Sequence, residues 1–167
     1  MDKQLAQLEQ VLRDQLAANE AMLSLLQQKR EALRAADQAR VERLCSLEHE
    51  KVQLLGELEK RRLALVAELT LMVEPNAAAP LRLAELAQRL EEPARTRLLV
   101  LRTQLMERMK SVQEQTRVTQ RALEALHRHM QGLLLSVSAL CSGVATYNAR
   151  GTRPAAASVV STFSMTA

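Results

Sequence analysis

From residue 95 to residue 147 the chain contains no proline, and its apolar residues recur there at alternating steps of four and three: Leu105, Met109, Val112, Thr116, Thr119, Leu123, Leu126, Met130, Leu133, Val137, Leu140, Val144 and Tyr147. A heptad repeat this regular admits one solution, a long helix whose seam packs along partner helices at a shallow angle. Only Thr116 and Thr119 interrupt the apolar character. Their methyl groups can pack while their hydroxyls bond back to the helix backbone, and a role in setting register is the alternative. Leu98, Leu99 and Leu101 carry the apolar face toward the N-terminus.

Prolines divide the rest. Residues 4–35 hold neither Gly nor Pro, and Leu5, Leu8, Leu12, Leu16, Met22, Leu23, Leu26 and Leu33 repeat at helical spacing. Arg34-Ala-Ala-Asp37 reads as a break, with Asp37 placed to cap the next helix through its carboxylate. That second helix spans 38–73, with Val41, Leu44, Leu47, Leu55, Leu58, Leu65, Leu69 and Met72 on its apolar face, and Pro75 ends it. Gly56 inside it suggests a close helix contact, since a mid-helix glycine costs about 1 kcal/mol against alanine. So short a break between two long helices makes an antiparallel hairpin. Glu74-Pro-Asn-Ala-Ala-Ala-Pro80 is a loop, residues 81–91 form a short Leu-rich helix, and Glu92-Pro93 breaks the chain again. The fold class is all-α: a hairpin, a short helix and a long closing helix in one coiled-coil-like bundle over residues 1–150, with 151–167 as a flexible tail.

Composition agrees. Ala, Glu, Lys, Leu and Arg supply 95 of the 167 residues, with four Gly and four Pro, the bias of long helices rather than a mixed domain. Net charge is +4, but acids and bases alternate, as in Glu57-Leu-Glu59-Lys60-Arg61-Arg62, the pattern of a solvated bundle face. With one Tyr, one Phe and no Trp, no stacking platform for nucleic acid exists. Residues 131–149 carry no charge, yet their serines, glycines, Gln131, Thr146 and Asn148 argue against a membrane span. The charged N-terminus lacks the apolar run of a signal peptide. Cys45 and Cys141 read as reduced, half-buried thiols. His127 and His129 point to different helix faces, and His49 lacks a metal-ligand partner, so neither metal nor cofactor is expected. No phosphate loop, nucleophile elbow or buried acid pair suggests an enzyme. Glu91-Glu92 and the nearby pair Glu48 and Glu50 suit helix ends and solvated faces.

Length adds an expectation. At about 1.5 Å per residue, the first two helices are each roughly 50 Å long and the last about 80 Å. A surplus on the order of 20 residues, falling on 132–147, should project past the Asp37 turn. An apolar seam without an intramolecular partner is an exposed patch of the kind that marks a binding site. Residues 152–167 have no helical period, although Val159, Val160 and Phe163 offer anchors for a partner.

The run Leu23-Ser-Leu-Leu-Gln-Gln-Lys-Arg-Glu-Ala-Leu-Arg-Ala-Ala-Asp37, followed by Leu44-Cys-Ser-Leu-Glu-His-Glu-Lys-Val-Gln-Leu-Leu-Gly-Glu-Leu58, resembles the opening hairpin of the FlgN family of flagellar export chaperones. The short Leu-rich helix ending near Pro93 and a closing Tyr147-Asn-Ala-Arg-Gly151 match as well, so the resemblance covers nearly the whole chain. Gln115, Thr116, Thr119 and Gln120 stand where that family often has asparagines. The resemblance implies a cytoplasmic chaperone that hydrolyses no ATP. It would bind the C-terminal helical segment of the hook–filament junction (hook-associated) proteins, prevent their early assembly and deliver them to the flagellar export gate. It also implies client binding by the C-terminal half of the last helix, here Leu123, Leu126, Met130, Leu133, Leu134, Val137, Leu140 and Val144, and gate docking by Tyr147. The rival reading is a structural coiled-coil adaptor or homo-oligomeric scaffold, because pairing of two copies would hide the same seam.

Overall fold

The computed structural model describes residues 1–141, with side chains through residue 139. Four helices follow in order, α1 (Asp2–Arg34), α2 (Gln38–Val73), α3 (Leu83–Gln88) and α4 (Ala94–Cys141), and no strand occurs among the described residues. The all-α architecture expected from the heptads is the one observed. The chain divides into two compact units, Met1–Glu124 and a second that begins at Ala125.

In the first unit α1 and α2 form the antiparallel hairpin. The Asp37 carboxylate accepts the Arg40 backbone N–H at 3.0 Å, satisfying one of the orphan donors of α2's first turn. On the other side of the turn, the Asp37 and Ala36 N–H groups donate back to the carbonyls of Ala32 and Leu33 at 3.0 and 3.2 Å. This is the double closure that usually needs glycine, and Ala36 sits in the left-handed region at φ 52°.

α1 is the most buried element. Leu8, Leu12 and Leu26 are fully enclosed, and cross-helix pairs fix a neighbour on each side. Toward α2, Lys29 meets Glu48 at 2.6 Å and Gln15 donates to Glu59 at 3.1 Å. Toward α4, Arg97 meets Glu9 at 2.8 Å, Arg108 meets Glu20 at 3.4 Å, and Arg30 donates to Gln115. The α4 pairs advance in the same direction along both chains, so α4 runs parallel to α1.

The hydrophobic core gathers at the end away from the hairpin turn. Leu5, Leu8, Val11 and Leu12 of α1 meet Leu65, Val66 and Leu69 of α2, Leu86 and Ala87 of α3, and Leu98, Leu101 and Leu105 of α4. Thr70 ties the connecting loop to this core: its hydroxyl donates to Val66 O at 2.7 Å and accepts the Leu81 N–H at 3.1 Å. That bond commits Leu81 to the loop. α3 therefore starts at Leu83, with Glu85 accepting the Arg82 N–H at 3.0 Å, and is shorter than the 81–91 expected. At the start of α4, Glu92 accepts the N–H and hydroxyl of Thr96 at 3.3 and 2.6 Å, the helix-end role its sequence position suggests.

Several expectations need correction. A side chain added at Gly56 would meet nothing within 4 Å, so this glycine marks no close helix contact. Leu47 and Met72, assigned to α2's packed face, are exposed: Leu47 shares the angular position of buried Leu65 five turns on, but the core gathers around Leu65, Val66 and Leu69 and includes neither residue. Cys45 is a free thiol but exposed rather than half-buried.

Candidate functional site

α4 begins as a core helix and changes character along its length. Leu98, Leu101 and Leu105 are buried. Thr119 is the last buried residue among those described, 2% exposed, and its hydroxyl donates to Gln115 O at 2.8 Å. Backbone bonding of this kind lets a threonine occupy an apolar seam without an unsatisfied hydroxyl. Leu123 is half-buried, and residues 124–139 are all exposed.

Within that stretch stand Leu126, Met130, Leu133, Leu134 and Val137, from 41% to 67% exposed. At about 100° per residue they share an arc of roughly 100° on one side of α4. Monomeric proteins bury stripes of this kind or use them. The rim is polar but weakly charged: His127 shares a hydrogen bond with Gln131 at 2.9 Å, and the Ser136 hydroxyl is turned back onto Gly132 O at 2.9 Å. The Ser138 hydroxyl likewise donates to Leu135 O at 3.0 Å. With both hydroxyls occupied by their own helix, little remains on this surface except apolar contact.

The structure thus brings Leu126, Met130, Leu133, Leu134 and Val137 together on one exposed face, with Leu123 half-buried before them. Leu140 belongs to α4, but its side chain lies outside the described residues, as do Val144 and Tyr147 entirely. Periodicity missed Leu135. It is 71% exposed, the most exposed large apolar residue described, and lies on the opposite side of the helix from the stripe. The signal was the uninterrupted triplet Leu133-Leu134-Leu135, which exceeds what a single seam needs.

Among the described residues no cluster of three His, Cys, Asp or Glu could hold a metal ion, and no helix is long and apolar enough to cross a membrane. The perturbed titratable groups lie in the first unit and serve packing. Burial acts to lower the Lys29 pKa, but the hydrogen bond and charge of Glu48 outweigh it and hold the ammonium above its ordinary value.

A family model described as FlgN protein matches residues 1–155. The chain belongs to the FlgN family. The match takes in both helices of the hairpin, α3 and the whole described length of α4, including the exposed stripe. No curated protein and no solved structure matches. FlgN proteins are flagellar export chaperones rather than enzymes.

Proposed function

We propose that this FlgN-family chain is a cytoplasmic chaperone for hook–filament junction proteins. Its distal α4 stripe pairs with their C-terminal helical segment, masks it until export, and is exchanged at the export gate. The observation that carries this reading is the exposed arc of Leu126, Met130, Leu133, Leu134 and Val137 in a helix of this family. Full burial of each such side chain is worth about 1.5–3 kcal/mol. Even after the costs of association, a facing amphipathic helix would gain enough to be held and, with no covalent step, to be released by competition. Leu140 and Val144 extend the client surface, and Tyr147 is the gate-docking residue.

The test is co-purification with junction proteins expressed alongside the chain. Leu133→Glu with Val137→Glu should abolish the complex while leaving the thermal transition in place. Unfolding by that double substitution would assign the stripe to a structural core. Tyr147→Ala should leave both stability and client binding nearly intact and reduce export. If the chain recovers only itself, as a stable dimer that ignores junction proteins, the scaffold reading replaces this one.

A further inference from the structure

Proximal α4 holds a second surface, distinct from the distal stripe. Over residues 94–121 α4 carries seven cations and two carboxylates. Three of the cations are neutralised: Arg97 by Glu9 at 2.8 Å, Arg108 by Glu20 at 3.4 Å and Arg117 by Glu114 at 3.0 Å. The other four, Arg95, Arg102, Lys110 and Arg121, have no carboxylate partner among the described residues.

Their arrangement is regular. At about 100° per residue the four fall within an arc of roughly 100°, turned away from the side on which Arg97, Arg108 and Gln115 meet α1. Apolar residues share that arc, with Leu99 half-buried and Met106 exposed, and Met109 of the main seam, also exposed, lies just beyond its edge. Arg95, Leu99, Arg102, Met106 and Met109 follow one another at steps of four, three, four and three, a second heptad row of two arginines and three apolar side chains, with Lys110 beside its end. Beside it lies an open depression of about 350 Å³ lined by Thr96, Leu99, Val100, Thr103 and Gln104.

We propose that this row docks an acidic amphipathic helix of a partner protein. A facing helix in heptad register would lay apolar side chains on Leu99, Met106 and Met109, whose unbranched thioethers adapt to different shapes. Asp or Glu at the same repeat would reach Arg95, Arg102 and Lys110. Four uncompensated cations on one face favour an acidic partner over a neutral or basic one and speed its encounter. An anionic bilayer is the weaker fit, because Leu99 is recessed and proximal α4 has no aromatic residue to seat among headgroups. Nucleic acid is weaker for the same lack of rings and because apolar residues interrupt the cations.

The full chain should be titrated against a labelled helical peptide of roughly three heptads with Leu at the seam and Glu flanking it, and against the same peptide with Lys for Glu. The Glu peptide should bind at least about tenfold tighter, with the preference shrinking between about 50 and 300 mM NaCl. Arg95→Glu, Arg102→Glu and Lys110→Glu together should erase the preference. Should that triple variant lose its helical circular dichroism, Arg95→Ala with Arg102→Ala replaces it and should at least halve the preference. Leu133→Glu with Val137→Glu should leave the preference unchanged, which separates this surface from the client stripe. Equal affinity for both peptides, a preference that survives charge removal, or one abolished by the distal pair would overturn the proposal. So would capture of the chain by phosphatidylcholine–phosphatidylserine vesicles or by an oligo-dT strand in place of the Glu peptide.

Discussion

The two ends of α4 carry one heptad seam and meet opposite fates. Near its start Leu98 is fully enclosed and Leu105 is 8% exposed, whereas Met130 and Val137 are each 55% exposed. Residue type and spacing do not explain the difference. What differs is the neighbour: α1, α2 and α3 all contribute to the cluster around Leu98 and Leu105, and the carboxylates Glu9 and Glu20 pin that half of α4 to α1. A heptad repeat specifies a helix that needs a partner; it does not say whether the partner lies in the same chain.

The largest expected effect tests that contrast directly. Leu98→Ala removes a fully buried side chain and should cost about 2–5 kcal/mol, the range for leucine truncation in a closed core. Leu133→Ala, at an equivalent seam position, should stay within about 0.5 kcal/mol of the parent. Urea unfolding of the two variants measures both. Comparable losses would mean that the distal seam is packed in the free protein, and the comparison would collapse.

The next effect concerns what holds the proximal half in place. Glu9 is buried, with its side chain 9% exposed, and accepts from both Arg13 and Arg97 at 3.1 and 2.8 Å. Glu9→Ala should cost about 1.5–3 kcal/mol, the range for hydrogen bonds to charged groups. A double-mutant cycle with Arg97→Ala should show positive coupling, because the two side chains share one bond. Independent effects would show that apolar contact alone places α4 on α1.

Much of this was legible in the sequence, for identifiable reasons. The helices and the Asp37 cap follow from periodicity, proline placement and a short acidic side chain at a helix start, all local signals. Thr119 behaved as its chemistry suggests. The misreadings are the non-local ones. Gly56 looked like a contact and is open, and Leu47 and Met72 keep the apolar period of α2 yet are exposed. Burial depends on where the neighbouring helix passes, which one helix's pattern does not contain. For the candidate site, spacing found the stripe but missed Leu135, because a seam template discards residues on the far side. The ion pairs from Glu9 and Glu20 to α4, which leave four cations unmatched, also needed three-dimensional register.

Glycines sharpen the comparison at a smaller scale. Neither Gly56 nor Gly132 has anything within 4 Å of an added Cβ, so alanine fits at both and should improve helix propensity by about 1 kcal/mol. In α2 of the first unit, Gly56→Ala should raise the melting temperature by a few degrees, roughly as a 1 kcal/mol change does in a domain of this size. Gly132→Ala should leave that transition unchanged and instead slow amide exchange in residues 126–139. A rise in melting temperature from Gly132→Ala would couple the distal helix to the core. Ala36→Gly, which relieves the left-handed residue at the hairpin turn, should give a stabilisation similar to that of Gly56→Ala.

The smallest effect is on pH dependence, and it too should belong to the first unit. Glu59 is held below its ordinary value of 4.5 first by its hydrogen bond with Arg62, against the opposing effect of burial, with Gln15 assisting. A carboxylate depressed in the folded state stabilises fully above its unfolded pKa, and that stabilisation is lost as pH falls through the folded value. Lys29 is shifted the other way: burial lowers its pKa, the Glu48 hydrogen bond and charge raise it more, and the net value lies above 10.5. Its contribution is therefore present below that pH and lost as pH rises through the folded value. These two groups add no slope between the two windows; Glu59→Gln should reduce the acid limb and Lys29→Met the alkaline limb. The acid effect should be well under about 1 kcal/mol, because Glu59 is 46% exposed and solvent screens the pair. Melting temperatures of parent and variants across pH measure both limbs. An acid limb unchanged by Glu59→Gln but removed by Leu133→Glu with Val137→Glu would place the titrating contact in the distal helix, and the division of α4 into a pinned half and a presented half would have to be redrawn.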